Sequence, residues 1–147
     1  MSLEPSPPHP RPSGYPATGL VVPFPFVSFI LTFVSDWIYW KTSDLMWQNF
    51  SSWLLFAGLL VGALAIPAAL IDALRPSTRW RRALWPAALS YFCVLALGIA
   101  NSLVHSADGW TAVVPGGLVL SAVTVVVIFV TIALTARLTA TFTWRAR

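Results

Sequence analysis

Residues 53–71 read WLLFAGLLVGALAIPAALI, a run without a single charged side chain. An α-helix rises about 1.5 Å per residue, so crossing about 30 Å of hydrocarbon takes about 20 apolar residues. Extended to 50–74, this stretch meets that requirement, with Pro76 just beyond Arg75 as a stop signal. Three further stretches meet it as well: residues 21–40, opening on Pro23 and Pro25; residues 82–104; and residues 115–136, opening on Pro115. The last is rich in Val, Thr and Ile, which in water favours strands. It is, however, roughly twice the length of a membrane strand, and backbone groups in lipid must be satisfied within the segment, so helix is expected. The reading is an all-α integral membrane four-helix bundle of up-down topology.

Composition agrees. The 147 residues are 57% hydrophobic and only 10% charged, where soluble chains run near 25%. Residues 1–19 hold six of the twelve prolines and no apolar run, and are expected as a disordered tail. They lack the basic start, short apolar core and small-residue cleavage site of a secretory signal, so the first apolar segment is expected to stay in the mature protein. The transmembrane domain spans residues 20–137, and residues 138–147 form a short basic tail. The net charge of +4 does not point to nucleic acid, because the basic residues sit in loops and tails and are not interleaved with exposed aromatics. Arg11, Arg75, Arg79, Arg81, Arg82, Arg137, Arg145 and Arg147 fall at one end of the bundle and Lys41 alone at the other. By the positive-inside rule both termini are cytoplasmic. Tryptophans mark the boundaries independently: Trp37, Trp40, Trp47, Trp53 and Trp110 outside, Trp80, Trp85 and Trp144 inside.

Polar residues inside such spans are costly and few, so each is a candidate. An inner polar site joins Asp72 to His9, Arg75, Arg79 and Arg82: either ion pairing that fixes a helix end, or a site for an anionic headgroup or a proton. An outer polar site joins Asp36, Asn101, His105 and Asp108, as interfacial hydrogen bonding or as a relay. Asn101 and His105 are four apart and share a helix face. Gly58 and Gly62, continued by Ala65, form a small-residue stripe for close helix packing, within the bundle or at a homodimer seam. Pro67 removes a backbone donor and crowds the carbonyl of Ala63, which predicts a bend. Cys93, alone in an apolar run, reads as a small core residue. Metal spacings such as HxxxH are absent, and the only two histidines fall at opposite faces, which disfavours a haem between them; no metal or cofactor is expected.

His9-Pro10, Pro23-Phe24-Pro25-Phe26, Asp36, and Pro67 with Ile71-Asp72 together resemble the bacterial membrane family of domain of unknown function 2231, over about residues 9 to 140. The resemblance implies a four-helix membrane domain. It also implies association with periplasmic oxidoreductases, hence an anchoring or partner role. Many members of the family carry a histidine early in the third helix, where this chain has Trp85-Pro86, a departure that argues against a redox or metal role by analogy.

No nucleophile elbow, phosphate loop or catalytic carboxylate pair is present, so enzyme activity has no support in the sequence. The functional expectation is a non-enzymatic inner-membrane scaffold or accessory subunit. Its partners are the lipid bilayer and, through the small-residue stripe, a second copy or another membrane protein. The alternative is a small transporter or proton-linked redox component in which Asp36, Asp72 and His105 titrate.

Overall fold

The computed structural model describes residues 15–78, 84–106 and 113–145. Four helical spans, all long and apolar enough to cross a bilayer, account for nearly all of them: Thr18–Thr42, Leu45–Leu74, Trp85–Ser106 and Val113–Thr141. The first consists of α1 (Thr18–Val21) and α2 (Pro23–Thr42), joined through Val22; the second of α3 (Leu45–Ala63) and α4 (Ala65–Leu74); the third is α5 (Trp85–Ser106) and the fourth α6 (Leu118–Arg145). No strand occurs among the described residues.

Local chemistry explains several of the boundaries. Helix α2 ends where Ser43 turns left-handed (φ 55°) and its N–H bonds the Tyr39 carbonyl at 2.7 Å. Helix α3 begins at Leu45, ahead of the expected Phe50, because Asp44 caps it and accepts from the Met46 N–H at 2.9 Å. The bend expected from Pro67 falls at Leu64, whose N–H reaches back to Val61 (3.0 Å) in a tighter turn. The chain then enters the fourth span through a wide turn at Val113–Gly117, with Val114 extended ahead of Pro115, as residues preceding proline prefer. Helix α6 runs to Arg145, past the expected end at Ala136, because no glycine or proline interrupts it.

Helix α2 packs on α3 and α6, and α5 on α3 and α6, so that the four spans close a ring in chain order. Phe26, Phe29, Leu55, Tyr91, Val94, Leu95 and Ile128 fill the middle of it. Phe29 is the keystone, because glycines face it from both sides. A Cβ on Gly58 would stand 2.7 Å from its ring and one on Gly98 2.8 Å away, too close for any heavy atom. Gly62 meets Leu95 and Tyr91 in the same way, and Ala65 is buried. The small-residue stripe is therefore taken up by α2 and α5 of the same chain. Cys93, expected inside, faces outward from α5, because Val94 and Leu95 beside it occupy the inward positions. The outer surface is apolar, with Trp53, Phe56, Leu60, Leu70, Val126 and Phe129 exposed, as lipid contact requires.

Candidate functional site: a buried carboxylate held by four helices

Asp36 lies six residues from the end of α2, about 9 Å inside the span by helix rise, and is completely shielded from solvent. Every other span sends it a hydrogen bond. Ser51 of α3 donates to Oδ1 at 2.6 Å, Nε2 of His105 on α5 lies 2.9 Å from the same oxygen, and the Ser121 hydroxyl of α6 donates to Oδ2. Asn101, one turn before His105, donates from Nδ2 to Ser121 Oγ at 2.8 Å. Ser51 and Asn101 are no more than 1% exposed, so the whole cluster is sealed in the bundle.

The protonation pattern follows from the partners. His105 Nδ1 faces the Asn101 carbonyl at 3.0 Å, and Nε2 faces the Asp36 carboxylate. The Asn101 carbonyl can only accept, so Nδ1 carries a hydrogen, and the contact with Asp36 holds one proton between them, as imidazolium against carboxylate or as imidazole accepting from the acid. In either form the pair carries no net charge, which is the affordable way to keep an acid within a membrane span. If the proton leaves, one acceptor loses its donor. One atom of the cluster stays unmatched: Asn101 Oδ1 is buried and has no hydrogen-bond partner among the described residues. Gly117 lets the turn close against it, since a Cβ there would stand 3.0 Å from the His105 ring and 3.5 Å from Asn101 Oδ1.

Of the expected outer site, then, Asp36, Asn101 and His105 come together, and Asp108 lies outside the described residues. Ser51 and Ser121 were not expected in it. A register argument would have found Ser51: Asp36 and Ser51 are equidistant from the Ser43–Asp44 turn, as are Phe29 and Gly58, and Pro25 and Gly62. Antiparallel neighbours at equal distance from their turn sit at equal depth.

The expected inner site is divided differently. Asp72 is buried and its carboxylate caps the start of α1, accepting from the N–H groups of Ala17 (2.7 Å) and Thr18 (3.0 Å) and from the Thr18 hydroxyl (2.7 Å). A negative charge at these free amides suits both their hydrogen-bonding need and the helix dipole. Arg75 ends α4 and is exposed; His9, Arg79 and Arg82 lie outside the described residues. Among the described residues, no group of three His, Cys, Asp or Glu side chains is placed to hold a metal.

Fold and site together define a four-span membrane bundle around a buried acid–imidazole pair. The chain belongs to the family of predicted membrane proteins described as domain of unknown function 2231, whose model matches residues 14–146. No curated protein and no solved structure matches it.

Proposed function

We propose that this is a proton-linked component of a bacterial cytoplasmic membrane, with both termini inside, in which Asp36 and His105 exchange a proton with the outer compartment. The observation that carries the reading is the Asp36–His105 pair itself, buried in a membrane span and supported from all four spans. Ionisable groups at such depth are expensive, and an ion pair that exists only to hold helices together is often outdone by apolar packing. The spare acceptor on Asn101 leaves one unmatched polar atom close to the imidazole, where a proton carrier would find a partner. The accessory-subunit reading rests on Gly58, Gly62 and Ala65; the two glycines face α2 and α5 of their own chain, and Ala65 is buried.

The test uses the full chain sealed in lipid vesicles, with the His105 ring nitrogens followed by solid-state nitrogen NMR as the pH is changed on either side of the membrane. The ring should change protonation with the pH on the Lys41 side, and Asp36→Asn should abolish or displace that response. A ring held in one state whichever side is titrated would make the cluster a structural clasp and end the proposal.

A further inference from the structure

We propose that a cleft in the arginine-side half of the bundle holds one hydrocarbon chain of an anionic phospholipid, with its headgroup at the arginine rim. The proposal is independent of the proton-linked reading.

The cleft follows from the break at Leu64. Below it α4 turns to α1 and away from the packing that α3 makes with α5. A cavity of about 710 Å³ opens between Val22, Ala65, Ala69, Ala88, Tyr91 and Thr135. Its walls include hydroxyls, but these are already committed. Tyr91 donates to the Gly62 carbonyl (3.1 Å), Thr131 shares a hydrogen with Ser90 (2.6 Å), Thr135 donates to the Thr131 carbonyl (2.8 Å), and Thr18 donates to Asp72. With its hydroxyls spent, and alanines and other apolar side chains making up most of the rest, the wall selects an apolar occupant.

Size narrows the choice further. A cavity of 710 Å³ lies within the range of about 300–1,000 Å³ that holds small molecules. Charge supplies the headgroup. Arg75 is exposed at the end of α4, and Arg137 is exposed on α6 next to Ala136 of the cleft wall. The one acid lining the cleft, Asp72, is turned to the start of α1. Basic residues beside an apolar cleft between membrane helices complement an anionic headgroup.

The test is native mass spectrometry of the full chain released from mild detergent after exchange into equal phosphatidylglycerol and phosphatidylcholine. One phosphatidylglycerol should stay bound. Ala69→Phe and Ala88→Phe should each lose it. Arg75→Ala combined with Arg137→Ala should keep a lipid but lose the preference between headgroups. In parallel, spin-labelled phosphatidylglycerol in bilayers of the unaltered chain should show an immobilised fraction that phosphatidylcholine does not displace. Equal retention of both lipids by the unaltered chain, an undiminished bound lipid in both phenylalanine variants, or no immobilised fraction would overturn the proposal. So would recovery of a protein chain in the cleft in place of lipid.

Discussion

At the scale of single residues, the buried cluster is where small changes cost most. Replacing either Asp36 or His105 by alanine leaves the other polar group buried without its partner, and the expected loss is about 3–5 kcal/mol. The double variant should cost clearly less than the two single losses combined, because the second substitution removes an already stranded group. Denaturation in mixed detergent micelles measures all three. The adjacent glycines separate crowding from simple chain stiffening. A Cβ on Gly116 meets nothing within 4 Å, whereas one on Gly117 presses on the His105 ring. Gly117→Ala should therefore destabilise by about 1–3 kcal/mol and shift the His105 ring resonances, while Gly116→Ala leaves those resonances in place. Asp36, Asn101 and His105 were legible one by one, because polar side chains in apolar spans stand out. Ser51 and Ser121 were not, since a lone serine in a membrane helix is unremarkable until the register of the hairpin is worked out.

At the scale of helices, ends are set by side chains that act across the fold. Asp72 is the case in point: the sequence places it beside Arg75, yet it caps α1, more than fifty residues earlier in the chain. Asp72→Ala should loosen that turn at a cost of about 0.5–2 kcal/mol, seen as faster hydrogen exchange at the Ala17 and Thr18 amides. Ser43 works in the opposite direction. It holds a left-handed backbone at a cost of about 1–2 kcal/mol to any residue with a Cβ, so Ser43→Gly should raise stability by up to that amount. Helix number, type and approximate extent were readable from apolar run length alone. The ends were not, because Asp44 begins a helix through its side chain and α6 continues through threonines that hydrogen-bond backward, such as Thr135 to Thr131 and Thr139 to Thr135.

At the scale of the whole molecule, charge divides the two ends. Lys41, the only lysine in the chain, packs its ammonium over Trp40 at 4.0 Å and Trp37 at 5.6 Å, an aromatic anchor of the kind found at membrane boundaries. On the proposed orientation, with both termini inside, an impermeant amine reagent added to intact cells should label Lys41 and leave the N-terminal amine unmodified until the membrane is opened. Labelling of the N-terminus from outside would reverse the orientation.

The packed middle of the bundle also bears on what a cell can tolerate. Phe26, Phe29, Leu55, Val94 and Ile128 form a dry layer on the arginine side of Asp36, with Phe29 wedged between two bare glycine backbones. Such a layer is an electrical insulator in series with the polar cluster. On the proposed placement in an energised membrane, the closed bundle should hold back ions at any copy number, and a charge that passes Phe29 has to wait for the helices to part.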